Sequence, residues 1–269
     1  MIIALIVILV LFTLYALSTT CRGGKSRMET LYGWKYAHRG LHGDGVPENS
    51  LEAFRRACDK GYGSELDVHL LADGNLAVIH DSVLKRTTGL DGRIEDLTTT
   101  QLQSCFLDGT NYTIPEFGKV LEIYAGKAPL IVELKAVGGN YKQLCEKTCA
   151  ILDDYNGLYC LESFDPRCVY WLRKNRPDLI RGQLTENFFK SKSSTLPWVV
   201  KLIMTTQMLN FLTRPDFVAY KFRDRKQFSN FFVEKIWKVP SVTWTLVNEE
   251  EYKEAISENR IPIFESFEP

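Results

Sequence analysis

The sequence lacks an excess of either charge, and it has no cluster of basic residues. Lysine and arginine together number 33, as do aspartate and glutamate, so the formal net charge is zero. Proteins that bind nucleic acid normally carry a basic patch or stripe that neutralises phosphates. We therefore expect no nucleic-acid partner. A locally charged pocket remains compatible with this balance.

Cysteine pairs with the spacing of a metal finger or a redox motif are also missing. The seven cysteines form no Cys-x-x-Cys pair, and an odd number cannot be joined completely in intramolecular disulfides. Free, buried cysteines in a reducing compartment are the arrangement that this pattern favours.

Long hydrophobic runs are absent except at the N-terminus, where residues 1–17 are apolar apart from Thr13 and Tyr15. No basic residue precedes the run, and the Ser-Thr-Thr-Cys that follows is a poor cleavage site for a signal peptidase. We therefore expect an uncleaved transmembrane helix over 1–20. A cleaved signal peptide or a lipid-modified Cys21 is the alternative.

Three basic residues, Arg22, Lys25 and Arg27, follow the run within an expected juxtamembrane linker over 21–33. By the positive-inside rule they predict a single-pass membrane protein with a cytoplasmic catalytic domain. Residues 34–269 are about as long as one (β/α)₈ barrel, and they contain no internal repeat or low-complexity tract. We expect them to form one domain.

Short β-type runs alternate with helical segments along this domain, as in a parallel α/β fold. Nine runs are candidates for the eight strands of a barrel, so we expect one of them to be either a peripheral strand or not a strand, and the sequence does not say which. Ser50 is placed to cap a helix, and two further helices are predicted over 143–152 and 248–256. The candidate strands are 35–38, 65–68, 77–80, 130–134, 159–164, 181–184, 217–220, 242–247 and 261–264.

Carboxylates recur at inward positions of two predicted strands. Residues two apart share a face of a strand, so Glu65 lies beside Asp67 and Glu133 lies beside Lys135. Three unpaired carboxylates inside a barrel are costly, and Lys135 cannot neutralise all of them. A hard divalent ion with oxygen ligands, Mg²⁺ or Ca²⁺, would compensate them. The pattern thus predicts a site for one divalent metal ion.

Two histidines, His38 and His80, end predicted strands near these carboxylates. Hydrolysis of a phosphodiester needs a base and an acid, which the two histidines could supply. It also needs positive charge near the phosphoryl oxygens, which Arg39, Lys135 and the metal could supply. Taken singly, each motif is also typical of a surface turn or a solvated strand face. Their order and spacing favour a common site.

Two other histidines and one apolar segment lie outside these motifs. We interpret His42 as a solvated loop residue and His69 as a structural residue beyond a strand end. Residues 195–212 predict one long helix in which only Lys201 is charged. This helix either packs on the barrel or forms an interfacial helix or lid that contacts the bilayer.

The combined motifs resemble the glycerophosphodiester phosphodiesterase family, from about Tyr36 to Asn248. The matching motifs are His38-Arg39-Gly40, Pro47-Glu48-Asn49-Ser50-Leu51-Glu52-Ala53-Phe54, Glu65-Leu66-Asp67-Val68, His80-Asp81, Arg86-Thr87-Thr88-Gly89, Ile114-Pro115, Glu133-Leu134-Lys135, Ser163-Phe164-Asp165-Pro166 and Trp244-Thr245-Leu246-Val247-Asn248. The chain departs from the family near its end. There it has Ile263-Phe264-Glu265-Ser266 in place of an Ile-Thr-Asp-x-Pro type motif. Residues 188–212 also fit poorly and are expected to shape substrate choice.

The resemblance implies a TIM barrel of the phosphatidylinositol-phospholipase-C-like kind and a role for each site residue. It implies metal ligation by Glu65, Asp67 and Glu133, acid/base catalysis by His38 and His80, phosphate contacts from Arg39 and Lys135, and a pocket wall from Trp244. In related enzymes of this fold, a substrate hydroxyl attacks phosphorus to give a cyclic phosphate, which water then opens. The resemblance does not say which histidine is the acid and which is the base.

Three functions are compatible with these features. The leading hypothesis is metal-dependent hydrolysis of glycerophosphodiesters to an alcohol and glycerol 3-phosphate. The second keeps the chemistry but cleaves membrane lysophospholipids in the manner of a lysophospholipase D, with lipid contact through the N-terminal helix and residues 195–212. The third is a non-catalytic, membrane-tethered barrel that binds head groups.

Overall fold

The computed structural model describes residues 1–23, 25–192 and 194–269, and within these ranges nine strands form one sheet. The strands are β1 (Tyr36–His38), β2 (Gly63–Leu70), β3 (Leu76–Val78), β4 (Leu130–Leu134), β5 (Tyr159–Ser163), β6 (Arg181–Thr185), β7 (Phe217–Lys221), β8 (Ser241–Leu246) and β9 (Ile261–Phe264). Each candidate run of the sequence therefore overlaps a strand.

Eight of the strands are parallel and close into a barrel. The order is β1-β9-β8-β7-β6-β5-β4-β2, and β1 pairs with both β2 and β9. The ninth strand, β3, runs antiparallel to β2 on the outside of this ring, with Val78 opposite Val68. It is the expected peripheral strand, and the fold is a TIM barrel, as predicted.

Helices surround the barrel, and their caps follow from the sequence. Ser50 Oγ accepts the Ala53 N–H at 3.2 Å at the start of α2, and Asn248 Oδ1 accepts the Glu251 N–H at 2.9 Å at the start of α11. The helices are α1 (Ile2–Ser18), α2 (Leu51–Asp59), α3 (Lys85–Thr88), α4 (Thr99–Leu102), α5 (Phe117–Tyr124), α6 (Tyr141–Leu152), α7 (Pro166–Asn175), α8 (Trp198–Thr205), α9 (Asn210–Thr213), α10 (Phe228–Asn230) and α11 (Glu249–Ser257). A π-helix, Phe231–Ile236, follows α10.

The segment before β1 packs against the barrel. Residues Lys25–Leu31 form a 3₁₀-helix, from which Met28 and Leu31 are buried against the interior residues of the barrel. The Leu31 carbonyl accepts the hydroxyl of Tyr36 on β1 at 2.9 Å. The predicted linker over 21–33, apart from position 24 outside the described ranges, is therefore in contact with the barrel.

The N-terminal apolar run forms α1, a helix of 17 residues. At about 1.5 Å per residue such a helix is about 25 Å long, whereas the hydrocarbon core of a bilayer is about 30 Å thick. Within residues 1–23, 25–192 and 194–269, no helix combines the length and apolar character that a membrane span requires. The predicted transmembrane anchor over 1–20 is therefore not supported.

Residues 195–212 do not form the single helix that their composition predicts. The segment contains α8 and α9, and the chain between them turns at Gln207, whose φ is 59°. The Gln207 amide donates to Asn230 Oδ1 at 2.6 Å and to Ser229 Oγ at 3.0 Å. Side chains from a distant part of the chain thus stabilise the break.

Candidate active site

Three carboxylates lie together toward the carboxyl ends of two adjacent barrel strands. β2 carries Glu65 and Asp67, β4 carries Glu133, and the parallel register pairs Asp67 with Glu133. One oxygen of each residue lies within 4.8 Å of the others, and all three side chains are buried. The fold therefore brings together the three residues that the sequence predicts as metal ligands.

The shortest contacts of the Asp67 carboxylate are with the ammonium group of Lys135 and the amide of Asn49. Lys135 Nζ lies 3.0 Å from Asp67 Oδ1 and 3.0 Å from Glu133 Oε2, while Asn49 Nδ2 donates to Asp67 Oδ2 at 2.9 Å. Burial by itself raises the pKa of Asp67, but nearby positive charges, chiefly Lys135, outweigh it and hold this pKa well below its usual range. Asp67 is thus ionised at neutral pH.

The other two carboxylates have the opposite shift. Burial, reinforced by the charge of Asp67, raises the pKa of Glu65 well above its usual range and that of Glu133 to about 7. A divalent cation would remove this repulsion, and clustered carboxylate oxygens are the ligands that Mg²⁺ and Ca²⁺ prefer. Apart from its ion pair with Lys135, Asp67 Oδ1 has no hydrogen-bond partner, so it has capacity for a further ligand. The donor set therefore fits a hard divalent metal ion.

A tight turn over residues 38–40 connects β1 to the site. Gly40 has φ of 79°, and a Cβ atom at this position would lie 2.8 Å from the carbonyl carbon of Ala53. Only glycine permits this approach of the turn to α2 without displacement. The turn places the Arg39 backbone N–H 3.3 Å from Glu65 Oε2, to which it donates.

Each predicted catalytic histidine is oriented by a carboxylate. His38 Nδ1 donates to Glu265 Oε2 at 2.7 Å, and His80 Nδ1 donates to Asp81 Oδ1 at 2.6 Å. These hydrogen bonds lower the pKa of Glu265 to about 2 and that of Asp81 well below its usual range, so both carboxylates act as acceptors. In the neutral ring, Nε2 is then the acceptor. Burial lowers the pKa of both histidines, which favours this neutral form.

Arg39 belongs to a series of ion pairs that connects the turn after His38 with the segment that carries His80. Its NH1 donates to Glu48 Oε1 at 2.9 Å, and its Nε lies 3.6 Å from Asp67 Oδ2. Glu48 also accepts from Arg86 NH2 at 2.6 Å, and Arg86 pairs with Asp81. The Nε of Arg39 is buried without a hydrogen-bond partner, so it can donate to a phosphate.

A cavity of about 240 Å³, the inner cavity, is lined by both histidines and by Glu65 and Glu133 of the carboxylate cluster. Trp244 from β8 forms part of its wall, with its ring edge-to-face against Phe164 at 5.7 Å. Lys221 Nζ lies 5.6 Å from the centroid of the Trp244 ring. Trp244 therefore lies where the resemblance implies a pocket wall.

A larger cavity of about 1090 Å³, the outer cavity, extends from the same groups toward α8. His80, Glu133 and Lys135 line one part of it, and apolar side chains that include Val200 and Ile203 line another. The site therefore combines a charged centre with an apolar wall.

Comparison with known proteins gives the family of the chain. Residues 38–257 match the model of the glycerophosphoryl diester phosphodiesterase family. The chain belongs to this family.

Relatives with curated names share part of the sequence. A glycerophosphodiester phosphodiesterase of Caldanaerobacter subterraneus subsp. tengcongensis is 34% identical over 160 residues, which are 55% of this chain and 65% of that protein. One of Bacillus altitudinis is 37% identical over 114 residues, 40% of this chain and 46% of that protein. Lysophospholipase D GDPD1 of Rattus norvegicus is 30% identical over 132 residues, 44% of this chain and 40% of that protein. The matches thus span less than two thirds of each relative.

Solved structures of similar fold cover nearly the whole barrel. An Oleispira antarctica phosphodiesterase, solved in complex with the product sn-glycerol-3-phosphate, has a TM-score of 0.69 at 21% identity, covering 86% of this chain and 92% of that one. A putative glycerophosphoryl diester phosphodiesterase from Silicibacter pomeroyi DSS-3 has a TM-score of 0.71 at 21% identity, covering 91% and 95%. These likenesses show the fold.

The two remaining histidines lie close to the phosphodiesterase-like centre. His42 Nε2 is 3.6 Å from Glu265 Oε1, and its role stays a prediction. His69 lies within β2, because this strand continues to Leu70. Its predicted place beyond the strand end is therefore wrong. Its Nδ1 lies 2.7 Å from Glu95 Oε1 and its Nε2 3.2 Å from the His80 carbonyl oxygen, contacts typical of a structural histidine.

Several site residues received no role from the sequence, among them Asp81, Asn49, Glu265 and Glu162. Asn49 lies in the motif before α2, and Glu265 lies in the atypical C-terminal motif. Both therefore belong to motifs noted in the sequence, but the sequence did not predict the residues that they contact. Glu162 lines the inner cavity from β5. The feature of the sequence that could have indicated Glu162 is a single carboxylate within the otherwise uncharged run 159–164.

Proposed function

We propose that the chain hydrolyses glycerophosphodiesters to an alcohol and glycerol 3-phosphate, with one divalent metal ion. One observation carries the proposal: two carboxylate-oriented histidines line the inner cavity together with Glu65 and Glu133, two members of the cluster of three carboxylates. Membership of the family supports the reaction class. The product bound in the Oleispira antarctica enzyme supports the glycerol phosphate part of the substrate.

The histidines account for the proton transfers. One accepts the proton of the attacking hydroxyl or water, the bond from phosphorus to the leaving oxygen breaks, and the other donates a proton to that oxygen. His38 and His80 both have Nδ1 engaged by a carboxylate, so each uses Nε2. Each of them is equipped for either role.

Positive charge at the phosphate comes from three sources. A Mg²⁺ or Ca²⁺ ion held by Glu65, Asp67 and Glu133 would supply charge beside the phosphoryl oxygens. Arg39 Nε makes no hydrogen bond at this place, and Lys135 lies between two of the carboxylates. We propose that both contact the phosphate, and that Trp244 contacts the remainder of the substrate.

Turnover of glycerophosphocholine by the full chain in detergent tests the proposal. We expect activity that EDTA abolishes and that added Mg²⁺ or Ca²⁺ restores. Glu65→Gln should lower kcat by at least about 100-fold, because it removes a charged ligand from the charge-stabilising centre. Glu116→Gln makes the same chemical change at an exposed position and should leave the rate unchanged. Turnover that persists in EDTA and in Glu65→Gln would contradict the proposal, and no turnover with any metal would favour a binding barrel.

The outer cavity supports a second candidate, lysophospholipase D-type cleavage. A cavity of about 1090 Å³ with an apolar wall has room for an acyl chain in addition to a head group. The opposite side of α8 exposes Trp198, Val199 and Leu202, which favours the lipid contact expected for 195–212. The relative named lysophospholipase D GDPD1 is consistent with such a substrate.

Comparison of lysophosphatidylcholine with glycerophosphocholine distinguishes the candidates. Ile203→Gln places an amide in the apolar wall and should lower kcat/KM for the acylated substrate by about tenfold, with little change for the deacylated one. Ile256→Gln makes the same chemical change at an exposed position on α11, away from the outer cavity, and serves as the matched control. Equal effects on both substrates, or no activity on the acylated one, would contradict this candidate.

A further inference from the structure

A fourth carboxylate adjoins the cluster from the next strand. Glu162 on β5 is 1% exposed, and the parallel register pairs it with Glu133 on β4. Paired residues of neighbouring strands are about 5 Å apart and point to the same face, so both side chains project into the barrel. Glu162 lines the inner cavity together with Glu65, Glu133 and both predicted catalytic histidines.

The carboxylate of Glu162 has an unused oxygen. Its Oε2 is buried and makes no hydrogen bond. In the described part of the chain, no lysine, arginine or histidine forms an ion pair with it. Glu234 shows the contrast, because Arg260 pairs with both of its oxygens. A buried carboxylate without such a partner is costly, so its position calls for a ligand that the chain does not supply.

We propose that Glu162 is a fourth carboxylate ligand of the metal centre formed by Glu65, Asp67 and Glu133. This inference rests on the proposed function, because the centre is the one that the proposed reaction uses. The oxygens of Glu162 lie outside the group that falls within 4.8 Å. Its two methylene groups give it the reach to join that group from the side of Glu133.

A fourth carboxylate changes which ion the centre prefers. Ca²⁺ accepts about six to eight oxygen ligands in flexible geometry, whereas Mg²⁺ demands a near-octahedral shell and keeps several waters. An additional protein oxygen at an adaptable distance therefore stabilises Ca²⁺ more than Mg²⁺. Glu162 is a determinant of Ca²⁺ preference in this chain.

Calorimetric titration of the full chain with Ca²⁺ or Mg²⁺ alone, without substrate, tests the assignment. Glu162→Gln should lower the affinity for Ca²⁺ by about tenfold or more, and that for Mg²⁺ much less. Glu133→Gln is the positive control, because it should weaken the binding of both ions. Glu116→Gln removes the same charge from an exposed position and should bind both ions as the wild-type chain does.

A second variant, Glu162→Met, removes both oxygens and keeps a side chain of similar length. Thermal unfolding without metal checks that both variants fold, and we expect a Tm no lower than that of the wild-type chain. The rise in Tm on addition of Ca²⁺ should shrink in both variants. A Ca²⁺ affinity within about twofold of wild type in both would overturn the assignment and leave the proposed function intact. Absence of metal binding by the wild-type chain would overturn both.

Discussion

At the scale of single residues, the hydrogen bond from His38 to Glu265 determines which imidazole nitrogen is available to substrate. Glu265 stands where the family pattern has an aspartate, yet it still accepts from Nδ1 at 2.7 Å. The atypical C-terminal motif therefore retains a carboxylate at this position, on a side chain that is longer by one methylene group. This contact gives the last strand of the barrel a part in orienting a predicted catalytic group.

Glu265→Gln isolates the charge of that carboxylate, since the glutamine oxygen can still accept from Nδ1. Burial lowers the pKa of His38, and the hydrogen bond and charge of Glu265 partly offset this. Removing the charge should lower the pKa of His38 further. The limb of the pH–rate profile that reports His38 should therefore move to lower pH, and kcat should fall by about 10- to 100-fold.

The limb that moves would identify the role of His38: the acidic limb reports a base, and the alkaline limb reports an acid. Glu268→Gln changes a neighbouring glutamate that pairs with Lys60 at the surface, and it should leave the profile unchanged. Movement of either limb to higher pH in Glu265→Gln would contradict the prediction.

The inward carboxylates could be predicted from the sequence, because strand alternation is local and places Glu65 beside Asp67 without knowledge of the fold. The partner of His38 could not be predicted in this way. Glu265 is 227 positions away, and its approach requires β1 to pair with β9. Asn49 presents the same difficulty at shorter range, since its contact with Asp67 depends on how α2 packs against β2.

At the scale of elements, the start of α2 connects helix capping to the site. Ser50 Oγ accepts the Ala53 N–H at 3.2 Å and donates to the Pro47 carbonyl at 2.7 Å. The residue before it, Asn49, holds Asp67. The cap therefore fixes the segment that carries a hydrogen-bond donor to the carboxylate cluster.

Ser50→Ala should lower the free energy of unfolding by about 1 kcal/mol, because the buried N–H of Ala53 loses its acceptor. Urea denaturation monitored by circular dichroism measures the change. Ser50→Thr keeps the hydroxyl and should recover most of the stability. An alanine variant as stable as wild type, or a threonine variant as unstable as alanine, would show that the hydroxyl does not stabilise this helix.

Two features that the sequence did not predict depend on distant contacts: the break within 195–212 and the identity of the peripheral strand. Periodicity over 195–212 gives no sign of a break, because Gln207 is compatible with a helix; Ser229 and Asn230 hold it in the turn. The outward position of β3 likewise follows from its antiparallel pairing with β2. Strand composition alone did not distinguish it from the eight strands of the barrel.

At the scale of the whole molecule, cysteines lie both inside the barrel and between its strands and the surrounding helices. All seven are free and buried, as predicted. Cys160 lies among the interior residues, whereas Cys145 and Cys168 lie between strands and helices. Burial raises the pKa of Cys21 to about 12 and that of Cys149 to about 11. These thiols pack as small apolar groups, so their exposure requires the molecule to open.

A thiol reagent such as DTNB at about pH 8 should therefore not react with the native chain on the time scale of minutes, because the reagent needs an accessible thiolate. In denaturant all seven thiols should react. The labelling rate between these limits should follow global unfolding measured by circular dichroism. Ser257→Cys introduces one exposed thiol and should react at once with a stoichiometry of one. A second thiol that reacted as fast in the native chain would show that one layer of the barrel opens separately, and it would contradict a single cooperative unit.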